Sequence, residues 1–248
     1  GRGSNDNKGS AFACLYAVRF LKEHGIRLKN NLRLLYGCNE EAGMEDAKYY
    51  LRHYQAPDLT IVPDSWWPVS CSEKGVYIFD VHARAGSGNL LEFETIGADN
   101  TVPNLCTCLL ETEEEGRIRD LAEKEDRIRW EREGEGKLRL RAYGIGAHAS
   151  FPEGSESAVK LLADFLLANR LVTGEAKEAL SFAAESISDH NGKSLDIDFR
   201  DPFAGNTTHV LTRVKLSGGK LAFSYKICYP AAEHVDKEEV FRRLLRYF

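Results

Sequence analysis

The stretch Leu32-Arg33-Leu34-Leu35-Tyr36-Gly37-Cys38-Asn39-Glu40-Glu41 runs from a short apolar segment straight into two adjacent carboxylates. An apolar run of this length bounded by turn residues reads as a strand over Leu32 to Cys38. Upstream, Phe12, Leu15, Val18, Phe20 and Leu21 recur near helical spacing, so Ser10 to His24 reads as a helix stopped by Gly25. Downstream, Met44 to Tyr54 reads as a second helix and Leu59 to Val62 as a short strand ending on Pro63-Asp64. Strand and helix in alternation predict α/β layering on a parallel-type sheet.

The pattern changes near Ser72. Val76 to Arg84 reads as a long strand, and Asn100 to Pro103 as a turn. Glu113 to Lys124 reads as a charged, solvated helix. Ile128 to Glu133 and Lys137 to Tyr143 form a hairpin about Gly134-Glu135-Gly136, with Leu138 and Leu140 on one face. Ser155 to Ala168 and Gly174 to Ile187 read as helices, and Thr207 to Lys215 with Lys220 to Cys228 as a hairpin about Gly218-Gly219. Asp236 and Glu239 have capping-box spacing for a last helix. The second part is therefore expected to be antiparallel α+β.

Three acidic places fall at the ends of elements: Asp6 before the first helix, Glu40 and Glu41 after one strand, and Asp64 after the next. Ligands of open α/β sheets gather at the carboxyl ends of strands, so parallel strands would bring these acids to one edge. Carboxylates so gathered repel one another unless cations hold them, and oxygen donors suit divalent metals. Adjacent glutamates in extended chain point apart, so one can bind metal while the other takes a proton from an attacking water. Each acid alone also fits a bland role, Asp6 as an N-cap and the others as surface carboxylates.

Taken in order, these residues resemble the aminoacylase and carboxypeptidase superfamily of two-metal peptidases. Gly1-Arg-Gly-Ser-Asn-Asp6-Asn-Lys8-Gly9 is similar to its G-R-G-x-x-D-x-K-G motif, and Asn39-Glu40-Glu41-Ala42-Gly43 to its D/N-E-E-x-G. Val62-Pro63-Asp64 resembles the segment that supplies a further Asp ligand. The resemblance implies Asp6 as a metal bridge, Glu40 as general base, and Glu41 and Asp64 as ligands of two divalent ions, zinc or manganese. Gly97-Ala98-Asp99-Asn100-Thr101-Val102-Pro103 resembles a G-x-x-x-N-x-V-P motif shortened by one residue. Gly146-Ala147-His148-Ala149-Ser150-Phe151-Pro152 resembles G-x-H-A-S-x-P, which implies that His148 helps hold a developing oxyanion.

The likeness is strongest to dipeptidases of the PepV and Sapep type. It implies residues 1–72 as part of a zinc-peptidase-like catalytic domain and 73–248 as a lid domain, incomplete at its C-terminal end. The family's outer His ligands have no counterpart in these 248 residues. His234-Val235-Asp236 imitates H-x-D but reads as a helix start. Where the PepV type reads N-x-R-Y-P, with the Arg on the substrate carboxylate, this chain reads Lys226-Ile227-Cys228-Tyr229-Pro230. A thiol cannot make that charge-assisted pair, which leaves Lys226 or Arg213 as substitutes. Dipeptide hydrolysis is the expected activity, with N-acyl amino acid deacylation or a non-catalytic relative as alternatives. The chain reads as an internal piece, inactive alone, because it has no initiator Met and only part of the metal shell.

Composition narrows the remaining classes. The 248 residues are 43% hydrophobic and 29% charged, enough for a core, with net charge -5. Bases and acids interleave, so no basic patch points to nucleic acid. The longest apolar runs, near Leu32–Tyr36 and Leu161–Leu167, are far short of the ~20 residues that span a bilayer. Gly1-Arg-Gly-Ser4 has no signal-peptide apolar region. Six scattered cysteines, of which only Cys106 and Cys108 lie close, read as reduced thiols of a cytoplasmic protein.

Overall fold

The computed structural model describes residues 3–65, 70, 72–230 and 235–247. The chain divides into two compact units, Gly1–Cys71 and Ser72–Phe248. Gly1 and Arg2 of the first motif and His234 of the H-x-D look-alike lie outside the described residues.

The first unit carries the two expected helices, α1 (Gly9–Glu23) and α2 (Glu45–His53). The expected strands are not there. Residues 32–38 and 59–62 run without a ladder partner, and the described part of this unit contains no strand. A strand needs a neighbour to take its N–H and C=O groups, and neither segment has one. Residues 32–38 are tied down by side chains instead: Arg33 bonds the Tyr50 hydroxyl, and Tyr36 donates to the Ala11 carbonyl at 3.2 Å. Their apolar side chains stay outside, with Leu59 78%, Ile61 80% and Val62 71% exposed. No described residue of this unit is buried.

The second unit is built on an antiparallel sheet of seven strands. These are β1 (Lys74–Arg84), β2 (Leu90–Thr95), β3 (Leu105–Glu111), β4 (Ile128–Arg132), β5 (Lys137–Tyr143), β8 (Thr208–Ser217) and β9 (Lys220–Pro230), in spatial order β1-β9-β8-β2-β3-β5-β4. A two-residue pair, β6 (Arg200–Asp201) and β7 (Gly205–Asn206), stands apart from it. Helices α4 (Ala158–Ala168) and α5 (Glu175–Ser186) cover one face, with α3 (Glu115–Ala122) beside them. Val159, Leu162 and Leu166 of α4 and Leu180 and Ala183 of α5 pack with Cys108, Leu110, Leu138, Leu140, Phe223 and Tyr225 of the sheet. Burying each large side chain here contributes about 1.5–3 kcal/mol. The last helix, α6 (Lys237–Tyr247), seats Val240 and Leu244 against Ile227 and Tyr229. Its start is capped as the spacing predicts, Glu239 N–H donating to Asp236 Oδ1 at 2.8 Å.

The antiparallel character and both hairpins agree with the sequence. β2 and β3 do not appear in it, because β3 is buried along nearly its whole length and shows no alternation. Cys106 and Cys108 lie fully buried there, and burial pushes both thiols up, Cys108 to about 12. The five described cysteines are free thiols.

One buried polar side chain makes the fold sensitive to pH. His209 on β8 is fully buried and stacks on Tyr225 at 5.3 Å, with neither ring nitrogen hydrogen bonded among the described residues. Burial holds its pKa down at about 4. The unfolded chain therefore takes up a proton near pH 6.5 that the folded chain refuses until about pH 4. Stability is full above about pH 6.5 and falls as the pH drops towards 4. Replacing His209 by Phe should flatten the urea midpoint across that window while leaving Asp and Glu effects below it; an unchanged pH slope would refute the assignment.

Candidate active site

The glutamate pair sits on a tight turn, not on extended chain. Residues Glu40–Ala42 form one turn of 3-10 helix ahead of α2. Three residues per turn still send Glu40 and Glu41 in different directions. The turn closes through Gly43 at φ 105, which favours glycine, and through Met44 N–H donating to the Asn39 carbonyl at 2.8 Å. Asp46, in the first turn of α2, holds the approach. Its carboxylate accepts from the backbone N–H groups of Cys38, Asn39 (2.9 Å) and Ala47 (2.8 Å). The Cys38 N–H bond above all keeps its pKa below the usual carboxylate value. Asn39 Oδ1 accepts from Glu45 N–H at 3.0 Å. Sequence reading missed Asp46; an Asp three residues past the D/N-E-E-x-G block, in the first turn of a helix, is the signal that could have found it.

Asp6 is exposed and does not cap α1, whose N-cap position is Lys8 and shows no side-chain capping hydrogen bond. The backbone at Asp6 (φ -122, ψ 96) is extended, and the Asp6–Asn7 peptide is cis. Asp64 is exposed in unpaired chain after Pro63. The parallel strands expected to carry these acids to one edge are not formed. Among the described residues no three His, Cys, Asp or Glu side chains are gathered closely enough to hold a metal ion. Asp6, Glu41 and Asp64 are hard oxygen donors of the right chemical kind, but their arrangement does not make a metal site.

In the second unit, the loop carrying His148 is built from its ends inwards. Ile145 and Glu156 exchange two backbone bonds, of 2.9 and 2.8 Å. Gly144 lets the chains come that close, because a Cβ there would lie 2.1 Å from the Glu156 carbonyl oxygen. At its top the loop is stitched to the segment after β2: Val102 N–H donates to Ala147 O, and Ala149 N–H to Asn100 O, each at 2.8 Å. Ala149 is buried with Val102 and Val210. The two motifs thus hold one another.

These anchors leave His148 exposed but oriented. Ser150 N–H donates to its Nδ1 at 3.2 Å, which assigns the ring proton to Nε2. Partial burial, and then the positive charge of Lys226, hold its pKa below the ordinary value. His148 is therefore a neutral N–H donor near pH 7. Beneath it, Ser150 Oγ lies 3.4 Å from the Sγ of buried Cys228 on β9. At the foot of the loop, Ser155 Oγ meets His190 Nε2 at 3.3 Å.

A profile of Peptidase family M20/M25/M40 matches residues 1–247. "Putative dipeptidase YtjP" of Bacillus subtilis (strain 168) is 28% identical over 253 residues, covering 96% of this chain and 54% of that protein. "Beta-Ala-Xaa dipeptidase" of Lactobacillus delbrueckii subsp. lactis is 27% identical over 259 residues, covering 100% of this chain and 54% of that protein. The chain thus spans about half the length of these curated relatives. With nearly all of its residues matched, the chain belongs to the M20/M25/M40 peptidase family.

Proposed function

We propose that the protein containing this chain is a cytoplasmic dipeptidase that cleaves the peptide bond with water. The observation that carries this reading is the Ser150 N–H bond to His148 Nδ1: a neutral imidazole with its proton on Nε2 is built to donate to an oxygen gaining negative charge. On the first unit, Glu40 takes a proton from the water whose oxygen attacks the carbonyl carbon. It returns that proton to the amine nitrogen as the C–N bond breaks. His148, in the second unit, is proposed as an N–H donor to an oxygen that gains negative charge.

Asp6, Glu41 and Asp64 are proposed as this chain's share of the donors for two divalent ions, zinc or manganese. Motif order and donor type support this; the described arrangement, in which they are not gathered, does not. Names of relatives that specify dipeptides support that substrate class over N-acyl amino acids. Among the described residues no helix is long and apolar enough to cross a membrane.

In the complete protein, Glu40→Gln should lower kcat on dipeptides by roughly 10²–10⁴-fold. A near wild-type rate with intact fold would remove Glu40 from its role. His148→Gln should lower kcat by about 10²–10³-fold with little change in KM; a change confined to KM would make it a binding residue instead. Single Ala substitutions at Asp6, Glu41 and Asp64 should each reduce bound zinc or manganese in elemental analysis, and unchanged metal content would exclude that residue as a ligand. Asp46→Ala should speed amide exchange at Cys38 and Asn39, since both lose their acceptor; unaltered exchange there would show that the turn holds without it.

A further inference from the structure

The His148 loop rises through Ile145 and Ala147 and returns through residues 150–155. Its rising limb is tied by backbone bonds to Glu156, Val102 and Asn100. The returning limb is two successive tight turns. Phe151 N–H donates to the His148 carbonyl at 2.8 Å, and Ser155 N–H to the Pro152 carbonyl at 3.0 Å. Such turns fix their own shape but not their place against the sheet. Among the described residues, two side-chain hydrogen bonds supply that place: Ser150 Oγ with Cys228 Sγ at 3.4 Å, and Ser155 Oγ with His190 Nε2 at 3.3 Å. A thiol is a weak partner, so more of the hold falls to His190.

His190 is a fixed post. It is half-buried, and its carbonyl accepts from His209 N–H of β8 at 2.8 Å. Beside it, the Asp189 carboxylate accepts from the N–H groups of Asn191 (2.8 Å), Lys193 (3.1 Å) and Ser194 (3.1 Å). Asn191 Nδ2 donates to the Thr207 carbonyl at 3.2 Å, and Ser194 Oγ to the Ser186 carbonyl, at the end of α5, at 2.8 Å. The direction of the contact follows from the hydroxyl. Ser155 gives its hydrogen to the Pro152 carbonyl at 2.5 Å, so its oxygen is left to accept and the proton comes from His190 Nε2.

We propose that His190 is a positioning residue for His148. By donating to Ser155 it fixes the returning limb, and with it the Ser150 N–H that places the imidazole proton on Nε2. This rests on the peptidase reading of His148 above. The Ser150 N–H bond to Nδ1 is 3.2 Å, at the long end of the hydrogen-bond range, so a small drift of the limb breaks it.

The test uses the complete protein and hydrolysis of alanyl-leucine. His190→Ala should lower kcat about 3–10-fold, the factor of one net hydrogen bond, with KM and bound metal unchanged. His190→Gln, whose Nε2–H has a similar reach, should restore the rate. Ser155→Ala, which removes the acceptor, should repeat the loss, and it decides the matter where His190→Ala does not fold. In a His148→Gln background both losses should vanish, because no imidazole is left to orient. Amide exchange over residues 147–155 should speed up in His190→Ala and return to the wild-type rate in His190→Gln. The proposal is overturned if that exchange is unchanged, if kcat keeps its wild-type value, if Gln does not rescue, or if the loss is equal with and without His148. Should wild type fail to cleave alanyl-leucine, or His148→Gln keep the full rate, the peptidase reading of His148 fails, while the exchange arm still decides whether His190 holds the loop.

Discussion

The pairing of β8 with β9 is the interaction on which the second unit turns. Its register sets Tyr225 and Phe223 against α4 and α5, and by the same act sets Lys226 and Cys228 under the His148 loop. Side chains alternate with period two, so a slip of one residue would exchange the faces. Apolar burial and placement of the candidate chemistry are thus one decision. The buried face makes the wrong register costly, since it would put Lys226 into the core and Tyr225 into solvent.

The first unit shows the same rule from its other side. Residues 32–38 and 59–62 have the composition of strands but no ladder neighbours, so their backbone groups and apolar side chains remain outside. Its order comes from short-range devices: two helices, the Asp46 clamp and the αL turn at Gly43 and Met44. Local bonds of that kind fix where Glu40 stands relative to α2. They cannot collect carboxylates that are distant in sequence, and Asp6, Glu41 and Asp64 are not collected.

What the sequence made legible follows from this. Helices α1, α2, α4 and α5 and the two hairpins were readable because periodicity and glycine turns are local signals. β3 was not, because burial along nearly its whole length erases alternation, and neither was the failure of the two apolar segments to pair, which depends on neighbours. Within the candidate site, motif order pointed to Glu40 and His148. It could not supply the Ser150 bond that fixes the imidazole tautomer, or the sheet face that Lys226 shares with Cys228. Both arise from contacts between residues far apart in the chain.

The closed thiols of β3 have a practical side. Cys106 and Cys108 sit on an interior strand of the sheet, fully buried, and burial keeps both protonated at neutral pH. Alkylating reagents need the thiolate and a path to it, and the native sheet offers neither. These two positions therefore behave as a built-in clock for strand separation: the rate at which they become modified counts openings of the core, with no label introduced.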